Sequence, residues 1–166
     1  MTNTVERTVH CYWAAWSVRD KAAAVGWLAD DVEVSNNIST STLLFGGKTV
    51  GLRAMSDRMQ SSIDLFERLH YEATLVGLKG RTVRGHISFA VRHRLTGETI
   101  DGVARQMIEV RDGRIIRIQE YHDAERIAAF MRLVSHCAAE QRLLQTLITR
   151  PGQTRRFGSG DGPWIE

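Results

Sequence analysis

The stretch "RIIRIQEYHDAERI", Arg114 to Ile127, holds an alternating apolar run that ends in a glutamate, a tyrosine, a histidine and an aspartate. With a period of two, Ile116, Ile118 and Glu120 share one face of a strand, and Arg117 and Gln119 share the other. A carboxylate thus follows two isoleucines onto the buried side. Burying it without a partner costs several kcal/mol or forces it to keep its proton. Either the strand leaves the core at Glu120, or that residue has chemistry to perform. Asp123 reads as the N-cap of a final helix, with Ile127, Phe130, Met131 and Val134 on one stripe, running to about Thr149.

Upstream lie three more strand-like runs, "RLHYEATLVG", "TVRGHISFAVRHRL" and "TIDGVARQMIEVR", two of the joints being the Gly-bearing turns "LTGET" and "RDGRI" of antiparallel neighbours. In "HISFAVRHRL", Ile87, Phe89, Val91, His93 and Leu95 fall on one face, with His93 its one polar member. In "VARQMIEV", Ala104, Gln106, Ile108 and Val110 do the same, with Gln106 the polar exception. Three adjacent strands each place one hydrogen-bonding residue in an otherwise apolar face, a pattern that suits an apolar pocket with a few convergent polar groups. His93 reads equally well as a satisfied core histidine. Glu120 reads also as a strand-end residue reaching solvent. His70 is in register with Glu72 and Thr74, the more polar side of its strand.

Before the strands come helices. Val5, Val9, Tyr12, Trp13 and Trp16 recur at helical spacing, with Asn3 and Glu6 spaced as a capping box, and this first helix runs to about Val18. Asp20 caps a short second helix through Leu28, "ADDVEVSNNI" turns strand-like, and Leu52, Met55, Met59, Ile63 and Phe66 mark a third helix. Helices first and an antiparallel meander afterwards predict an α+β fold with helices on one face of a curved sheet. At 166 residues the chain is one domain, with its core in residues 1–135 and a helical extension and Gly-rich tail over 136–166.

The balance of side chains excludes several classes of function. A hydrophobic share of 43% and a charged share of 25% argue against a disordered chain. A net charge of +3, with the arginines dispersed, offers no nucleic-acid footprint. The two cysteines, Cys11 and Cys137, match no metal spacing and no disulfide framework, which points to a reducing cytoplasm and no metal. The N-terminus lacks the form of a signal peptide, and "AAAVGWLA", the longest apolar stretch, is too short to span a bilayer. The tail's "GSGDG" precedes no helix and is not a phosphate loop.

The order of elements, with "YWAAWSVRDKAAAVGWLADDVEV" and "RDGRIIRIQEYHD", resembles the SnoaL-like group of the nuclear-transport-factor-2-like superfamily over roughly residues 4 to 135. The resemblance implies a cone-shaped α+β barrel with a cavity between helices and a bent sheet, usually in a homodimer. Ketosteroid isomerase resembles the chain without a gap from Tyr12 to Asp31, and Tyr12 matches its oxyanion-binding tyrosine. Its general-base position holds Asn36, however, and its protonated acid falls near Arg105 or Gln106. Limonene epoxide hydrolase is similar at Asn36, a water-holding position, and at Glu120, its acid–base carboxylate, while its arginine and second aspartate fall on Ile87 and Phe89. Scytalone dehydratase is similar at His70 and His93, although its first-helix tyrosine and aspartate fall on Trp16 and Ser17.

The residues and the resemblance together lead to the expectation of a cofactor-free cyclase, dehydratase or isomerase acting on a small, largely apolar molecule. Glu120, its pKa raised by an apolar wall, and His93 would exchange protons, with His70 and Tyr12 completing the catalytic set. Trp16, Asn36, Phe89, Val91, Gln106 and Ile118 would line the pocket. A non-catalytic binding protein, an epoxide hydrolase and an assembly module are the alternatives.

Overall fold

The computed structural model describes residues 4–149. Three helices precede the antiparallel meander: α1 (Thr4–Ser17), α2 (Lys21–Val25) and α3 (Leu52–Leu65). Between the last two run β1 (Leu28–Asn36) and the short β2 (Lys48–Val50), and after α3 come β3 (Phe66–Lys79), β4 (Thr82–His93), β5 (Thr99–Arg111) and β6 (Arg114–Tyr121). The closing helix α4 (Ala124–Thr149) continues to the last described residue. The α+β fold with a curved sheet is therefore as the sequence predicted. Asn3 of the expected capping box and the Gly-rich tail lie outside the described residues.

The local signals explain the boundaries. α1 buries Val9, Tyr12 and Trp13 and stops because Arg19 takes a left-handed conformation, φ +57°. There the Arg19 and Asp20 amides donate to the Trp16 and Ala15 carbonyls, closing the helix end. The Asp20 carboxylate then accepts from the Ala23 amide and starts α2. α3 turns Met55 and Met59 inward.

Strand order in the six-stranded sheet is β2-β1-β6-β5-β4-β3. The meander from β3 to β6 is antiparallel throughout, whereas β1 lies parallel to β6. This departs from a purely antiparallel sheet, because the chain leaves β1 and returns beside it only after the whole meander. Gly85 on β4 lets α1 approach: a Cβ there would stand 2.6 Å from the Trp13 ring. One apolar cluster packs α1 to α3 on the sheet around Trp13, Met59, Ile108 and Ile118. A second gathers Phe66, Ile100, Ile127, Phe130 and Val134 under α4. The space between the clusters is the site.

Candidate active site

A cavity of ≈ 180 Å³ opens there, with walls drawn from both clusters. An engineered apolar cavity of about 150 Å³ holds benzene, so a one-ring or compact two-ring molecule is the natural scale. Tyr12, Trp16, Phe89, Val91 and Met131 are among the apolar and aromatic surfaces facing it. One polar patch is built from the middle of β5 and the end of β6. Gln106 stands opposite Glu120 in the register of these strands, and period two carries His122 onto the same face as Glu120.

Four side chains connect in series across that patch. The Trp13 indole donates to Gln106 Oε1 at 2.8 Å, and Gln106 Nε2 donates to Glu120 Oε1 at 2.7 Å. His122 Nε2 lies 3.3 Å from Glu120 Oε2. An indole N–H can only donate, so the Gln106 amide has one permissible orientation and must present its NH₂ to Glu120. That donor requires an acceptor, which an ionised carboxylate supplies. Burial pushes the Glu120 carboxyl up. The hydrogen bond and charge of His122, the nearby Arg58 and the Gln106 hydrogen bond outweigh it, and the net direction is below the ordinary carboxylate value. The expected rise toward neutrality is thereby reversed: Glu120 is a half-buried carboxylate whose partners favour its charged form.

His122 is held by its backbone, whose N–H donates to Asn37 Oδ1 and whose carbonyl accepts from Asn37 Nδ2, at 2.8 and 2.9 Å. Its ring meets the Phe89 ring edge-on at 5.9 Å, and its Nδ1 is buried with no partner. Across the cavity, Tyr12 and Tyr71 stay protonated, burial raising both phenols before neighbouring charges are counted. Arg58 donates to the Gly47 carbonyl and Thr49 Oγ1, and the Arg68 guanidinium carbon stands over the Trp16 and Tyr71 rings, 4.8 and 4.6 Å from their centroids.

The SnoaL-like domain model matches residues 9–118, about two-thirds of the chain. The chain belongs to the SnoaL-like domain family. No curated protein matches its sequence. Solved structures share its fold at low identity. An NTF2-like protein from Burkholderia xenovorans LB400 is 22% identical at TM-score 0.68, over 79% of this chain and 98% of that one. A protein provisionally named a polyketide cyclase, from Xanthomonas campestris pv. campestris, is 21% identical at TM-score 0.63, over 77% and 96%. One provisionally named an isomerase, from Rhodopseudomonas palustris, is 14% identical at TM-score 0.67, over 80% and 98%.

Within this SnoaL-like domain the structure sorts the sequence-predicted site residues. Glu120, Gln106, Tyr12, Trp16, Asn36, Phe89 and Val91 all face the cavity. His93 does not line it. Its Nδ1 accepts from the Thr96 amide at 3.3 Å in the β4–β5 turn, and its ring packs edge-on against Phe66. Burial lowers its pKa, so it is a neutral turn-closing histidine. His70 is exposed on the sheet's outer face, because a bulge between Arg68 and His70 brings Tyr71 inward in its place. Ile118 is fully buried beneath the cavity floor. Asn36 lines the cavity, but its Oδ1 accepts from the Ile38 and Gly47 amides and its Nδ2 donates to the Phe45 carbonyl. Its amide latches the 37–47 loop. A second bulge, between Glu109 and Val110, buries Ile115 fully and leaves Ile116 only partly covered.

Sequence reasoning missed His122, Tyr71, Arg19, Arg58 and Arg68. For His122 the signal was present, two residues past Glu120 on the same strand parity. For Tyr71 and the arginines it was not, since a bulge and helix-to-strand packing decide their direction. Among the described residues no cluster of three His, Cys, Asp or Glu could hold a metal ion.

Proposed function

We propose that this SnoaL-like domain is a cofactor-free acid–base enzyme that cyclises, dehydrates or isomerises a small, largely apolar carbonyl compound. One observation carries the reading: the Glu120 carboxylate, held through both oxygens by Gln106 and His122, faces an apolar cavity that the Tyr12 and Tyr71 phenols also line. Glu120 takes a proton from carbon next to a carbonyl, and the carbonyl oxygen becomes an enolate. The Tyr12 or Tyr71 hydroxyl donates to that oxygen, a contribution of about 10²–10³ in rate. Glu120 then returns the proton to a second carbon, giving an isomer, or to a departing hydroxyl, giving an alkene and water. In a cyclisation the enolate carbon attacks a second carbonyl and the new alkoxide takes the proton. A positioned base of this kind supplies about 10²–10⁴-fold. Epoxide hydrolysis is less well supported, since the Asn36 amide is largely engaged by backbone.

The test needs no knowledge of the product. Incubated in D₂O without cofactor, the protein should exchange the acidic C–H protons of 2-tetralone faster than buffer does, as followed by proton NMR, and Glu120→Gln should remove about 99% or more of that excess. Equal exchange by parent and Glu120→Gln, or none above buffer, refutes the reading. We also propose a homodimer through the outer sheet face, where Val76, Val103 and Met107 are exposed. A monomeric mass at micromolar concentration in solution would remove that proposal.

A further inference from the structure

The charges around the cavity do not balance. Arg19, Arg58 and Arg68 line it, against the single carboxylate of Glu120. Among the described residues none of these three arginines has an ion-pair partner. Arg19 donates to the Ser62 carbonyl, Arg58 to the Gly47 carbonyl and Thr49, and Arg68 to the Trp16 and Ser17 carbonyls. The carbonyls at the end of α1 offset about half a charge. That leaves more than one positive charge uncompensated in a half-enclosed space, which is costly unless something else supplies an anion.

The excess is concentrated at one pole. Arg68 reaches the last turn of α1, and Arg19 follows that turn directly, so the two guanidinium groups converge between α1, the end of α3 and the start of β3. Arg19 sits at a left-handed position, φ +57°, where glycine is favoured and a side chain costs about 1–2 kcal/mol. Two further groups there lack partners: Arg19 Nε and the Tyr71 hydroxyl are both buried without an acceptor. Buried donors normally find one. Glu120 lies on β6, three strands from β3 in the sheet order, or about 14 Å along the sheet and less across the hollow.

We propose that the substrate is an organic anion, an aromatic molecule of one or two rings bearing a carboxylate or an equivalent ionised oxygen, which Arg19, Arg68 and Tyr71 hold so that its reacting carbon lies at Glu120. The inference rests on the acid–base reading only in taking the cavity as the substrate site. It adds the anchor that fixes orientation. An anion at the arginine pole satisfies the orphaned donors, stacks its ring on the aromatic wall and keeps its own charge away from Glu120.

The test is direct binding, by calorimetric titration of the full chain with 2-naphthoate and with 2-naphthamide, its uncharged counterpart of the same shape. The parent should favour the naphthoate by about tenfold or more, and Arg19→Gln should erase most of that preference while changing naphthamide affinity by less than about twofold. Tyr71→Phe, which removes one hydroxyl, should reduce the preference by a few-fold. Arg68→Lys should reduce it as well, and if that variant fails to fold, the other two still decide. Equal affinity for the two probes, no saturable binding of either at millimolar concentration, or an unchanged preference in Arg19→Gln overturns the proposal. Glu120→Gln separates the two readings: it should keep the preference for naphthoate while losing proton exchange. A parent that prefers the anion without exchanging protons refutes the enzyme and leaves the anion site standing.

Discussion

Replacing Gln106 with leucine tests whether the Trp13–Gln106–Glu120–His122 series is a structural unit. Leucine fills a similar volume, so the cavity term is small and the polar loss dominates. Two groups lose their partners at once. The Trp13 indole N–H, on a residue only 3% exposed, is left without an acceptor at about 1–3 kcal/mol. The hydrogen bond from Gln106 to charged Glu120 goes as well, at about 1.5–3 kcal/mol, partly recovered because Glu120 keeps His122 and faces the cavity. A net loss of about 2–4 kcal/mol follows, or a fall of roughly 4–15 °C in Tm for a domain of this size. Urea unfolding of parent, Gln106→Leu, Trp13→Phe and the double variant separates the terms. Trp13→Phe removes the stranded donor, so the double variant should be more stable than the sum of the two single losses predicts, by about 1–2 kcal/mol. A Gln106→Leu variant within about 0.5 kcal/mol of the parent, or strict additivity in the cycle, refutes the argument that these contacts fix the carboxylate.

Three further outcomes follow from the same geometry. Glu120 is depressed below its ordinary value, so its carboxylate is present above that value and is lost as pH falls through its lower folded pKa. The acid limb of proton exchange should therefore lie below about pH 4.5 and move upward in His122→Phe more than in Gln106→Leu, as a pH–rate profile would show. His93→Leu should cost about 1–2 kcal/mol in urea unfolding yet leave the exchange rate within about twofold. The folded state also resists protonating His93, so the parent should lose stability as pH falls below about 6.5, and His93→Leu should lose less. Gly85→Ala should destabilise by about 1–3 kcal/mol, since the added methyl collides with the Trp13 ring, and an unchanged Tm would show that α1 has room to retreat.

How far the sequence could be read depends on where side-chain parity survives. On β5, where the inward set Ala104, Gln106, Ile108 is uninterrupted, alternation places Gln106 correctly from sequence alone. On β6 the bulge falls before Arg117, so parity restarts at Ile118 and carries Glu120 and then His122 to the cavity. Glu120 was legible for that reason, and His122 was legible by the same count. β3 is different. Phe66 and Arg68 face the cavity, and unbroken alternation would continue to His70, but the inserted residue passes the inward place to Tyr71. Parity set His70 on the polar side with Glu72 and Thr74, where it lies, and only the resemblance to scytalone dehydratase made it a site residue; no composition signal marks the bulge that turns Tyr71 inward.

His93 fails for another reason. Its parity was read correctly and it is indeed buried, but β4 ends there, and a residue at a strand end faces the turn as much as the sheet. The Thr96 amide claims its acceptor before any ligand could. Burial and parity thus locate a polar residue without saying what satisfies it, and only the hydrogen-bond inventory separates a structural histidine from a reactive one. By that criterion His122 is the histidine to follow. It has a fixed backbone, one nitrogen on a charged carboxylate and the other buried with nothing to hold.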